Sequence, residues 1–581
     1  MPDRPRHGSR PQITVDGTPL PAEIVPALAR TVVDTHIHLP DMFVLQFQDT
    51  NRDILDRARV RFGSRVVVSA TADGDGTQVA LVTGEVTALE QETDNTGTWT
   101  VVRGYDPTHR LCRGRRTRTF ADATDAEMVR QVCAAAGLEL GRVDDDGTVY
   151  EHVSQVNLTD WEFLRARAHE TGHELTAVDG KLEWREPNGS ADAPTGPDDL
   201  ASPTAPYELL LGRDLLRLKP RVTAAEQVSE VHVRGWDPDR KQAVVGTAPA
   251  QATSASVGVT PAALASTFAA APYVVVDRPV TSQGAADAIA ASVAEQIAGA
   301  HAEADGCALG NPRLVPGAAV RIGSVGWPHD GCYVITTARH SYDESGYRTE
   351  FAVSGRQERS LLGLASMGAT KGAHRASGPP VHGLVIGQVT DANDPDHQFR
   401  VKVGFPWLSD DYESWWCRVA QPGAGNGRGL VWLPEVGDEV LVGFAHGDTR
   451  VPYVVGSLYN GVDRPPLADQ LVDSANGEVK QRALVSRTGH RLVLSDDDAE
   501  SSVLLSTGDD SLTITLDQSQ TAITIDSSGA VTIHGSQNVA IKSDSDISLQ
   551  AGGSLSLSGQ TGVTVDGGPS VSVSGSVIKL N

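Results

Sequence analysis

From residue 523 the chain repeats in eights. Ile523, Val531, Val539, Ile547, Leu555, Val563 and Val571 stand eight apart, and two places after each comes a second apolar residue: Ile525, Ile533, Ile541, Leu549, Leu557, Val565 and Val573. Two further on stand only small residues: Ser527, Gly535, Ser543, Ala551, Gly559, Gly567 and Gly575. Self-similarity at a fixed period marks a repeat architecture. In each octad a strand presents two side chains to one face, and the small residue then tolerates a tight turn. One chain buries such rows badly, because a single-chain β-helix takes about three strands per coil and would leave both ends open. Three chains winding together enclose one dry axis at every level, and at about 4.8 Å per level the repeats make a shaft of roughly 30 Å. The pattern predicts an intertwined trimeric β-helix, a needle, over 519–581, with the fourteen apolar positions inward. At its end the register slips. Apolar residues are due at 579 and 581, where Lys579 and Asn581 stand, while Ile578 and Leu580 are displaced by one, which exchanges the inward and outward faces. The repeat does not seal its own tip.

The rest of the chain is also read as mainly β. At 581 residues it is too long for one core and predicts several domains. Its 58 glycines against 4 methionines and 5% aromatic residues favour strands and turns. A formal net charge of −25 argues against a nucleic-acid partner, which needs a basic surface. The local exception is Arg103, Arg110, Arg113, Arg115, Arg116 and Arg118, read as a solvated or subunit-facing edge because no series of stacking aromatics accompanies them. Five scattered cysteines show neither a disulfide framework nor zinc spacing, and predict synthesis in a reducing compartment. The polar N-terminus lacks the apolar core of a signal peptide, so the chain is expected to be made in the cytoplasm without one, a bacterial cytoplasm if the resemblance given below holds.

Residues 1–10 read as a disordered tail and 11–362 as a region of strands with helical insertions. A helix is expected over 125–136, stopped by Gly137. Another starts at the Thr159/Glu162 capping box and ends at Gly172, and an Ala-rich one covers 283–302. A linker is expected at 187–206. Val102-Arg103-Gly104-Tyr105-Asp106-Pro107 recurs as Val233-Arg234-Gly235-Trp236-Asp237-Pro238, which suggests a duplicated barrel. After a linker, 363–380, short strands at 383–389, 399–403, 416–420, 429–433, 438–444 and 453–456 suit a small closed barrel over 381–465. A transition segment, 466–518, leads to the needle.

Two motifs imitate metal enzymes. His169-Glu170-Thr171-Gly172-His173 fits HExxH, which needs both histidines on one face of a continuing helix with the glutamate as base. Gly172 should break that helix and put His173 outside it, entering a strand over 174–178, so a zinc-dependent hydrolase is the weaker reading. Asp34-Thr35-His36-Ile37-His38 imitates the HxH of amidohydrolases, but the alternating strands and helices of a (β/α)₈ barrel are missing, and both histidines are placed on one face of a strand. No catalytic residue, metal or cofactor is assigned.

Three stretches resemble one family, the VgrG proteins and the related hub-and-spike proteins of contractile phage tails and extracellular contractile injection systems. Residues 102–120 with 231–238 look like its duplicated hub barrels. Residues 399–407, 429–440 and 456–461 are similar to its oligonucleotide-binding-fold (OB-fold) barrel. The octads are similar to its needle. The resemblance implies a homotrimer whose two hub barrels per chain offer six quasi-equivalent positions to a sixfold tail tube of a baseplate, tapering to a threefold spike that breaches a membrane and performs no chemistry. It further implies a PAAR-repeat tip protein docking on Ile578, Lys579, Leu580 and Asn581. Residues 462–494 are too short for the lysozyme domain of the T-even phage relative, and with the chain stopping at Asn581 any effector is expected to be a separate protein. A trimeric adhesin or receptor-binding fibre is the alternative, though it would not need duplicated barrels.

Overall fold

The computed structural model describes residues 11–71, 77–95, 97–194, 207–355, 380–497 and 501–579. The expected tail 1–10, most of the linker 363–380, residues 195–206 of the first linker, and Leu580 and Asn581 lie outside them. The chain divides into two compact units, Met1–Asp463 and Arg464–Asn581.

In the first unit, eleven strands from both halves of the hub form one sheet. Its spatial order is Leu215–Val222, Ala302–Leu309, Gly346–Val353, Thr337–Asp343, Leu28–His36, Met42–Gln48, Gly97–Tyr105, Gln78–Asp94, Arg65–Thr71, Gln12–Val15 and Thr18–Pro19. The seam between the halves is the antiparallel pair Thr337–Asp343 with Leu28–His36, where Ala338 faces Thr35 and His340 faces Val33. The Thr35 hydroxyl donates to the Ala338 carbonyl at 3.1 Å across it. Alternating residues on these strands feed two apolar clusters, one with Phe43, Leu45, Phe47, Val66, Val68 and Val102 and another with Leu215, Ala304, Ala338 and Phe351. The two expected hub barrels therefore share one hydrogen-bonded sheet.

The sequence echo is an echo of local chemistry. Both glycines lie beneath a crossing backbone: a Cβ on Gly104 would meet the Glu85 carbonyl and the Phe43 ring, and one on Gly235 the Val280 carbonyl, inside contact distance. Both aspartates turn the chain that follows, Asp106 accepting from Thr108 N at 2.6 Å and Asp237 from Asp239 N at 2.9 Å.

A module of two helices and short strands is inserted in the first half. Helix Asp125–Ala136 has its expected bounds and starts at a Thr124/Glu127 capping box that the sequence reading did not single out, and helix Asp160–Thr171 starts at the expected Thr159/Glu162 box. They pack with Trp161, Phe163 and Trp184 in the module's own core. The Ala-rich helix spans Gln283–Gly299, three residues short of its expected end. His301 N closes the last turn on the Ala298 carbonyl, and Ala302 already pairs with Val222.

The small barrel is closed in the order Leu384–Asp391, Arg400–Gly404, Cys417–Val419, Pro452–Ser457, Glu439–Phe444. Its core holds Val389, Val401, Val403, Phe405, Val440, Val442 and Val454. The strand expected over 429–433 is not formed. Only Arg428–Gly429 pairs, in a small hairpin with Ala424–Gly425, and Leu430, Val431 and Trp432 are exposed. A closed ring has no free edge to receive a further strand.

The second unit begins with a five-stranded antiparallel meander, Gln481–Val485, Arg491–Ser495, Ser502–Ser506, Leu512–Asp517 and Ala522–Ser527. Part of the expected transition segment is thus regular sheet, and Ile523 and Ile525 sit on its last strand. Past it, residues 530–579 form no strand in the single chain.

The crossing at the echo glycines makes a clear expectation. Gly104→Ala and Gly235→Ala should each lower stability by about 1–3 kcal/mol through overpacking, measured by denaturant unfolding, whereas Gly284→Ala, where a Cβ meets nothing, should not.

Candidate functional site

Helix Asp160–Thr171 ends at Gly172, whose φ of 79° is left-handed, so the helix does not continue through the HExxH match. His173 lies beyond the cap, before strand Glu174–Val178; its N–H closes on the Ala168 carbonyl at 2.8 Å and its ring stacks on Trp184 at 5.1 Å. The His169 carbonyl accepts from the Ser292 hydroxyl at 2.6 Å, and its Nδ1 lies 3.3 Å from Gln296 Nε2 on helix Gln283–Gly299. Glu170, the would-be base, is buried. Its two oxygens each take a guanidinium nitrogen of Arg450 at 3.2 Å, and Arg167 adds a bond at 3.1 Å. Burial alone pushes this carboxyl up, but the Arg450 and Arg167 charges outweigh it and hold it below the ordinary carboxylate range. A carboxylate so occupied is a structural anion and a poor proton acceptor.

The two histidine motifs, treated separately in the sequence, meet in space. A cavity of about 40 Å³, room for a water or a few, is lined by His38, Arg165, His169, His173, Glu174 and Gln296. Their positions differ from one expectation: His36 ends strand Leu28–His36 and His38 lies past it in a turn, its N–H donating to His36 Nδ1 at 2.9 Å, so the two do not share a strand face. The Asp41 carboxylate, which accepts the His36 N–H at 3.0 Å, caps the strand there and lets the chain turn. Among the described residues no group of three or more His, Cys, Asp or Glu side chains is arranged to hold a metal ion.

The arginine run is solvated, with Arg113, Arg115 and Arg116 exposed, and it is also paired within the chain. Arg103 pairs with Glu90 at 2.7 Å, Arg110 with Glu85, Arg115 with Glu162 at 3.3 Å, and Arg116 and Arg118 with Asp160 at 3.1 and 2.6 Å. Asp160 and Glu162 form the first turn of their helix, where negative charge is favoured, so three of these arginines fasten that helix start within the chain.

In the second unit, cross-strand register aligns Leu484, Leu492, Leu505, Ile514 and Ile525 in one row, and Leu494, Val503, Leu516 and Ile523 in the next, on one face of the meander. Most of this apolar face is open to solvent in the single chain, and a groove of about 530 Å³ on it is lined by Leu505, Ile514, Ile525 and Val531. Leucines two apart signalled the face in the sequence, but turns interrupt the pattern. The octad rows are likewise exposed, from 53% at Val539 to 74% at Ile523. Ile578 and Lys579 are exposed too.

Comparison with known proteins gives the family. A family described as the Alg8 N-terminal domain matches residues 53–344, half of the chain, and one described as the type VI secretion system/phage-baseplate injector OB domain matches 385–459, the closed barrel. The type VI secretion system spike protein VgrG2a of Pseudomonas aeruginosa is 33% identical over 137 residues, 22% of this chain and 16% of its own length. VgrG3 of Vibrio cholerae is 33% identical over 130 residues, 22% of this chain and 13% of its own length. The chain thus spans under a fifth of the length of these relatives. Among solved structures, the Escherichia coli c3393 protein, a component of the type VI secretion system, is 14% identical with a TM-score of 0.45 over 77% of this chain and 99% of its own. A chain of the Francisella PdpA-VgrG complex is 9% identical with a TM-score of 0.49 over 90% of this chain and 80% of its own. The chain belongs to the family described as the Alg8 N-terminal domain, whose match spans residues 53–344, and it is similar to VgrG and contractile-tail spike proteins over the segments given above.

The hub seam carries a pH signature. His340 is fully buried with Nδ1 2.8 Å from the Tyr347 hydroxyl, and burial holds it neutral down to about 4. The unfolded chain takes up that proton first as pH falls below about 6.5, so stability from this group is present above 6.5 and is lost towards 4, by up to about 3 kcal/mol. His36 and His152, also held to about 4 chiefly by burial, act in the same direction. Asp41 and Asp106, raised by burial, act oppositely and favour the fold in acid. His340→Gln isolates the first effect: between pH 7 and pH 4 its urea midpoint should fall less than that of the unaltered protein.

Proposed function

We propose that this protein is the structural spike of a contractile injection machine and works as a homotrimer. The observation that carries this reading is the apolar sheet face at 481–527, which runs through Ile523 and Ile525 into the octad rows. One chain leaves these rows in water, and at about 25 cal/mol per Å² of apolar surface their exposure is unfavourable. Three copies turning the same rows to one axis would cover them and give each unpaired strand a neighbour on either side. The inward residues are then Ile523, Ile525, Val531, Ile533, Val539, Ile541, Ile547, Leu549, Leu555, Leu557, Val563, Val565, Val571 and Val573.

In this reading the duplicated hub seats on a sixfold tail tube and its baseplate, the closed barrel passes the load to the needle, and the needle breaches a target membrane. Ile578 to Asn581 dock a PAAR-repeat tip protein, and effectors travel with the spike. The chain is made in the cytoplasm, enters a tail-like particle and carries no catalytic role of its own.

Val565→Asp tests the axis. It sets three carboxylates around one dry line, each costing several kcal/mol to bury, so the variant should lose its association and its high-melting transition. Unchanged melting would refute the inward assignment. Removing residues 576–581 should abolish capture of a PAAR-repeat protein while leaving association intact.

A further inference from the structure

The end of helix Asp160–Thr171 touches two other parts of the first unit at once. On one side, Arg450 comes from the barrel loop between strands Glu439–Phe444 and Pro452–Ser457 and lays its guanidinium against both oxygens of Glu170 at 3.2 Å. The same guanidinium is held from behind by Asp448, nearly fully buried, at 2.8 Å. Next to it Arg167 bonds Asp125 through two nitrogens at 2.9 and 3.0 Å and stands 4.4 Å over the Tyr150 ring. On the other side, the His169 carbonyl takes the Ser292 hydroxyl of the second-half helix. Strand Tyr150–Leu158 doubles the attachment: Val156 joins the barrel's apolar core, Ser154 receives the Tyr412 hydroxyl at 3.2 Å, and His152 stacks on Trp415 at 5.4 Å.

We propose that this junction is a rigid coupling, with Glu170 as its pin, that makes hub and barrel open and move as one body. One feature points to coupling in addition to simple stability. Alternating charges Asp125, Arg167, Glu170, Arg450 and Asp448 form an unbroken chain from hub module to barrel loop, so no member can leave without stranding a buried neighbour. The mechanical purpose rests on the spike reading, since a spike must pass force through its barrel without bending. The coupling is a property of the purified chain.

Amide hydrogen exchange on the full-length protein tests it, comparing barrel strands Arg400–Gly404 and Glu439–Phe444 with hub strands Met42–Gln48 and Gly97–Tyr105. In the unaltered protein the two sets should share one slow opening. In Glu170→Gln, barrel exchange should quicken at least tenfold while the hub strands keep their rates. Arg450→Lys, which retains the charge beside Asp448 but loses the two-pronged contact, should show the same split more weakly, and serves if the first variant does not fold. Barrel rates that stay unchanged, or hub and barrel rates that rise by one common factor, would overturn the proposal. A monomeric protein with the coupling intact would sink the spike reading alone.

Discussion

The second unit is governed by one constraint, which is that its apolar rows lie exposed in the single chain. A five-stranded meander satisfies its internal hydrogen bonds and still offers one greasy face to water. Beyond it, residues 530–579 keep the same apolar pairs at eight-residue spacing without forming strands at all. Short strands need neighbours, and isolated ones are marginal at best. Everything proposed for the function follows from where those neighbours come from.

The first unit solves a different problem, holding several small cores in fixed relation. The seam through Thr35 and Ala338 merges the hub halves into one sheet. The inserted helical module then meets the barrel through buried ion pairs, beside the apolar contact of Val156 with the barrel core. Buried charge is expensive to assemble and more expensive to leave half made, which favours an all-or-nothing joint. The HExxH match falls in this joint: its glutamate is spent on two arginines and its histidines on packing and on a neighbouring helix.

What was legible in the sequence was local or strictly periodic. The capping box at Thr159 and the stops at Gly137 and Gly172 depend on residues within a turn of each other, and they stand where their sequences put them. The octads are legible because their period does not falter. Long-range pairing was not. Nothing near residue 429 reveals that the barrel ring is already closed, so Leu430 to Trp432 read as a strand. Nothing near His38 reveals that His169 and His173 line the same cavity, more than a hundred residues away. The arginines at 115–118 read rightly as a solvated edge, but their role in fastening a helix start was hidden because their acidic partners, Asp160 and Glu162, belong to a later helix. The apolar face of the meander went unread because turns reset the alternation between strands.

The most direct measurement is the mass of the full-length protein in solution by sedimentation equilibrium at micromolar concentration. The account predicts a single species of three times 61.4 kDa. A species of 61.4 kDa would contradict it, because the apolar rows would then face water in the native protein.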